Sequence, residues 1–158
     1  MFRELMRKKQ ALSLEECIRI LKDEPRGVLS VLGDNGYPYG MPMNHYYSEA
    51  DGKLYFHGGK TGHKIDAMRR TDKASFCVYD EGFVRDGEWA KNIRSVIVFG
   101  RIEFIEDRET TYRISAALSR KFTDDDAYIQ RELEQSGPGT LLFSLTPEHI
   151  TGKLVCER

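Results

Sequence analysis

The apolar runs of this chain are short, and tight-turn sequences cut them apart. Residues 27–33 (GVLSVLG) run into Asp34-Asn35-Gly36, a strong hairpin signal, and Asp51-Gly52 leads into a second run at 53–57. Residues 74–79 (ASFCVY) read as a strand, and residues 93–105 (IRSVIVFGRIEFI) give the strongest strand pattern, with Gly100 suited to a bend or bulge. Residues 140–145 and 150–155 read as two closing strands. The run at 37–48 is aromatic but carries Pro38 and Pro42, which confine it to an edge, a bulge or a place where the backbone serves something other than a ladder.

Helical patterns sit between and around these runs. Ser13 with Glu16 three residues on forms a capping-box sequence, after which Cys17, Ile18 and Leu21 make one apolar face that Pro25 and Gly27 end. Further helices are predicted over 65–70, 108–122 and 127–135. A strict alternation of strand and helix is absent, which argues against a doubly wound sheet. The pattern predicts a mainly β chain: a small antiparallel β-barrel with α additions, built as one domain over residues 1–158.

Composition narrows the function classes. The formal net charge is -1, so there is no overall electrostatic case for nucleic acid or a membrane surface, and Arg7-Lys8-Lys9 reads as a solvated cluster. No apolar stretch approaches the ~20 residues that span a bilayer. The opening MFRELMRKKQ leads into no apolar signal-peptide core, so a cytoplasmic protein is expected. Cys17, Cys77 and Cys156 form no paired spacing. The first two fall in apolar-patterned segments and are expected to be buried. The four histidines have no metal-ligand spacing.

The stretch most loaded with chemistry is residues 55–64, YFHGGKTGHK. It places three glycines, two histidines and two lysines between a strand and a helix. Gly58, Gly59 and Gly62 allow backbone conformations that turn N–H groups inward, a following helix start adds free N–H groups, and Lys60 and Lys64 add charge, with His63 a third candidate. The combination points to a phosphate site. Gly59-Lys60-Thr61 is not the end of a nucleoside-triphosphate loop: the position that must be the earlier glycine of that motif is Leu54. The alternative reading is a glycine-rich turn with surface lysines.

Four segments in order, MFRELMRKKQALSLEEC, GDNGYPYGMPMNHYY, LYFHGGKTGHKIDAMRRTDKASFCV and RSVIVFGRIEFI, resemble the FMN-binding split-barrel flavoproteins related to pyridoxamine 5′-phosphate oxidase, and among them the nitroimidazole-resistance (Nim-type) branch. The resemblance implies an FMN-binding split β-barrel, a homodimer with two flavin sites between subunits, and a set of site residues. Met41, Pro42, Met43 and Asn44 match the strand whose backbone lies along the isoalloxazine ring. His57 matches a small hydroxyl residue beside the flavin and is the catalytic candidate. His63 and Lys64 match a basic pair on the FMN phosphate, the first usually arginine. Ser95 matches a flavin-contacting glutamine. The residues near the end of the chain that hold pyridoxal phosphate in the oxidases are not found, so oxidation of pyridoxamine phosphate is not expected.

The resulting expectation is an FMN-dependent oxidoreductase that passes electrons from NAD(P)H to a small acceptor such as a nitroimidazole. Two alternatives stand beside it: a flavin-binding protein without catalysis, and a haem-binding or haem-degrading protein with His45 or His57 as axial ligand. Trp89, the single tryptophan, could lid the flavin or sit at a subunit contact.

Overall fold

The structure is a computed structural model and describes residues 1–157. Ser13 caps α1 (Leu14–Asp23) as its sequence predicts: the hydroxyl accepts from the Glu16 N–H and the Glu16 carboxylate accepts from the Ser13 N–H. Cys17, Ile20 and Leu21 face the core. The strands are β1 (Arg26–Leu32), β2 (Pro38–Asn44), β3 (Tyr46–Ser48), β4 (Lys53–Gly59), β5 (Lys73–Tyr79), β6 (Phe83–Val84), β7 (Lys91–Ile105) and β8 (Thr140–Cys156). The remaining helices are α2 (His63–Arg70), α3 (Arg108–Ser119) and α4 (Asp126–Ser136).

All ladders are antiparallel, and the sheet runs β2-β1-β5-β7-β8-β4-β3, with β6 added to β7. β2 and β3 therefore lie at opposite edges of this path, yet a single residue, His45, joins them. One residue spans only about 3.5 Å, so the sheet has to curl until its edges meet. The result is a split β-barrel with helical additions. The two prolines of β2 lie on an edge, where a missing N–H costs no ladder. Leu29, Phe56, Phe76, Val78, Val96, Val98 and Phe143 fill the interior.

The closure at His45 is sealed. Its imidazole has no solvent exposure, packs edge-on against Phe76 at 4.8 Å between centroids, and donates from Nε2 to the Leu21 carbonyl at 2.7 Å. The Lys121 ammonium donates to the carbonyls of His45 and Glu24, both at 2.8 Å, and so ties the end of α3 to α1 and to the strand junction.

Three sequence expectations change. The two closing strands are one, β8, which runs through Pro147. β8 absorbs it in a bulge: Phe99 pairs with His149 and Gly100 with Pro147, which leaves Glu148 unpaired. Gly100 is required there, because a Cβ would stand 2.2 Å from the Thr146 carbonyl oxygen. The polar loop after β5 contains β6, folded back on β7. Cys77 is half-buried rather than buried, because Phe76 and Val78 take the inward positions of β5 and turn it to the outer face. There it lies between Val28 and Ile97, both exposed, and near exposed Phe99 and Tyr79. The outer face of this part of the sheet is thus apolar.

Candidate functional site

Lys64 is the centre of the site. It follows Gly62, which caps α2 with φ +120 and no side-chain hydrogen bond to the helix amides. α1, α3 and α4 each have an N-cap side chain that accepts from a helix amide. The amides of the first turn of α2 are consequently open to an external acceptor. The Lys64 side chain reaches back over β4 to β2. Its Nζ lies 3.7 Å from Met43 Sδ, and a Cβ built on Gly58 would stand 2.8 Å from the same Nζ. A thioether is a weak acceptor for an ammonium group. Among the described residues Lys64 has no carboxylate partner, although it is half-buried. The strand position of Gly58 gives Lys64 its space, a role that the glycine pair alone does not reveal.

His57 stands on β4 opposite Leu142, half-buried, with no hydrogen-bond partner among the described residues. Burial pushes its imidazole below the ordinary range, and the Lys64 ammonium adds to this. It is therefore neutral at neutral pH, with an N–H to donate and a bare nitrogen to accept.

The other expected residues divide. Met41 and Met43 point into the core side of β2, and Pro42 and Asn44 point outward. The Asn44 side chain accepts from Arg26 Nε at 3.2 Å. The outer edge of β2 has no ladder partner, so its backbone groups are available. The His63 ring is turned to the β1–β2 hairpin rather than toward Lys64. It stacks on Tyr39 with centroids 4.1 Å apart, and its Nε2 accepts from the Asp34 N–H at 3.2 Å. Arg70 donates to the same aspartate at 2.8 Å, so α2 is fastened to the hairpin at both ends. Tyr39, which orients His63, carries no signal in the sequence beyond its aromatic run. Ser95 lies near the far end of β7, beside Tyr79 and Lys153, whereas His57 faces the other end through Leu142 and Ile105. One chain therefore brings Met43, Gly58, His57 and Lys64 together and leaves Ser95 elsewhere. His45 is sealed in the barrel closure and is not presented to any ligand.

These residues fit a phosphate-bearing group on the donor side: an unpaired half-buried ammonium, open helix amides, the exposed Lys60, and glycines 59 and 62 with nothing within 4 Å of where a Cβ would be.

The family model for pyridoxamine 5′-phosphate oxidase matches residues 13–154. No curated protein matches the chain in sequence. Among solved structures it is similar to a candidate 5-nitroimidazole antibiotic resistance protein of Bacteroides thetaiotaomicron, with TM-score 0.75, 21% identity and coverage of 92% of this chain and 87% of that one. It is also similar to a FAD-binding protein of Mesorhizobium loti, with TM-score 0.66, 24% identity and coverage of 92% and 97%. A FAD and haem binding protein of Mycobacterium smegmatis aligns with TM-score 0.73, 22% identity and coverage of 92% and 73%. At these identities the structural likeness speaks for the fold.

Proposed function

The chain belongs to the pyridoxamine 5′-phosphate oxidase family, and on that premise we propose that it is an FMN-dependent oxidoreductase that uses NAD(P)H to reduce a small acceptor such as a nitroimidazole. The observation that carries the reading is Lys64: a half-buried cation in the first turn of the uncapped helix α2, whose only polar contact among the described residues is a methionine sulfur. An ammonium held there without a carboxylate partner among the described residues leaves its donors free for an anion. The terminal phosphate of FMN supplies such an anion. The similar structures that bind FAD or belong to nitroimidazole resistance support a flavin and a nitro acceptor in the same way.

FMN, if bound, would supply the redox chemistry, that of a flavin able to exchange a hydride or electrons with a nicotinamide and a small acceptor. The chain supplies position and polarity. Lys64 and the α2 amides hold the phosphate. The free edge of β2, over residues 41–44, offers backbone to the ring. His57, neutral and without a hydrogen-bond partner among the described residues, donates a hydrogen bond to an acceptor oxygen or holds a proton there. The exposed apolar outer face, with Val28, Ile97, Phe99 and Tyr79, supports a homodimer. The haem alternative loses His45 as an axial ligand, since freeing that imidazole opens the barrel closure.

Steady-state oxidation of NADH and NADPH by the FMN-loaded protein with a nitroimidazole tests the reading. Turnover above the protein-free rate, lowered in His57→Ala at unchanged FMN content, is expected. No turnover with either donor contradicts the enzymatic reading and leaves a flavin-binding protein.

A further inference from the structure

We propose that His63 is a positioning residue: with Tyr39, Asp34 and Arg70 it latches the start of α2 to the β1–β2 hairpin, and the latch aims Lys64 at the phosphate. The inference rests on the flavin reading above and deepens it, since it divides the basic pair of the phosphate loop into one ligand and one support.

His63 and Lys64 are the first two residues of α2. Successive residues of a helix point about 100° apart, so the direction of one fixes that of the other. The His63 ring is held on three sides. Its face lies on Tyr39, with the ring planes 22° apart. Its Nε2 is taken by the Asp34 N–H. Gly33 closes in beside it: a Cβ there would stand 3.1 Å from Nε2 and 2.9 Å from Tyr39 Cβ, so the lack of a side chain at Gly33 gives the ring its place.

The hairpin that receives the ring is firm. The Gly33 N–H donates to the Tyr37 carbonyl at 2.8 Å, and the Tyr37 N–H donates to the Asp34 carbonyl at 3.2 Å. The second strand of this hairpin is β2, and Tyr39 and Met43 both lie on its inner face. His63 therefore grips one end of that face while the Lys64 ammonium rests on the other, at Met43. Charge speaks for support as well. The Asp34 carboxylate lies 3.7 Å from His63 Nε2 and accepts from Arg70 at 2.8 Å. A carboxylate beside a phosphate ligand would repel the phosphate. In a latch the same carboxylate has a use: through Arg70 it holds the far end of α2.

Tyr39 offers the test, because changing it alters no charge and leaves His63 in the chain. FMN and riboflavin Kd are measured by flavin fluorescence on the purified protein at one pH. The ratio of the riboflavin Kd to the FMN Kd then reports what the phosphate contributes. Tyr39→Leu should lower that ratio about three- to tenfold, and Tyr39→Phe, which keeps the stack, should hold it near the wild-type value. His63→Gln should lower it by a similar factor. In a Lys64→Ala background neither change should lower it further, because the latch acts through Lys64. A ratio unchanged or raised in Tyr39→Leu or in His63→Gln overturns the proposal. A His63→Gln loss that persists in the Lys64→Ala background also overturns it and makes His63 a ligand. Both results leave the flavin reading intact. A wild type that binds FMN no better than riboflavin, or binds neither, contradicts that reading and the inference with it. If Tyr39→Leu does not fold, His63→Gln with and without Lys64→Ala decides alone.

Discussion

His45 lies beside Lys121 and His57 lies beside Lys64, and in both pairs burial and the neighbouring ammonium keep the imidazole neutral. The surroundings differ. His45 donates to a carbonyl, Lys121 donates to two, and the pair closes the barrel where its edges meet. Among the described residues His57 has no hydrogen-bond partner, and the Lys64 ammonium meets only a thioether. In the first pair every N–H proton named meets a carbonyl, although His45 Nδ1 is buried without a partner; in the second, among the described residues, none does. A cationic residue near a histidine is therefore not by itself a sign of function, and the number of satisfied donors tells the two apart.

The sharpest way to break the sealed pair is to remove its ring. His45→Ala leaves the Leu21 carbonyl unpaired and opens space beside Phe76, at a cost of roughly 4 kcal/mol in denaturant unfolding. A change below about 1 kcal/mol would show that the closure does not depend on it. Acid comes next. Burial, with Lys121 adding to it, lowers the His45 pKa from 6.5 to about 4. Because the folded value is depressed, the unfolded chain takes up the proton first. The stability tied to His45 is whole above about pH 6.5 and falls by about 3 kcal/mol as pH drops to about 4. In His45→Gln this part of the pH dependence should vanish.

Lys121→Met removes the two charge-assisted bonds to Glu24 and His45 and should cost about 2 kcal/mol of stability. FMN affinity should stay unchanged in the folded protein; a loss of affinity would mean that the two pairs are coupled. The smallest effect lies at the open pair. In Lys64→Met the His57 pKa, followed by NMR of its ring protons, should rise toward its ordinary value, with burial still holding it below. An unmoved titration would place the ammonium too far away to matter.

Much of this was legible in the chain, and the limits are physical. The Ser13–Glu16 cap and the turn at 34–36 depend on neighbours a few residues away, while the prolines of the 37–48 run and Gly100 mark an edge and a bulge by what their backbones cannot do, and each is found where the sequence puts it. The continuity of β8 through Pro147 was not legible, since the bulge that absorbs it is set by pairing with Gly100 on another strand. The YFHGGKTGHK stretch marked Lys64 and His57. It did not show that His63 turns to Tyr39 and Asp34, because that choice is made by a hairpin well upstream in the chain. Nor did the motif at Ser95 reveal its distance from Lys64, which only strand order fixes.

The central claim is that Lys64 awaits the phosphate of a flavin. Its direct test is the absorption spectrum and FMN Kd of purified wild type against Lys64→Ala, with riboflavin, which lacks the phosphate, as the control ligand. The account predicts flavin bands on the wild type after excess FMN is removed, and a Kd weaker by on the order of 10- to 100-fold in Lys64→Ala. Riboflavin binding should be weak in both and indifferent to the substitution. Equal FMN affinity in the two proteins, or a wild type that retains no FMN, would contradict it.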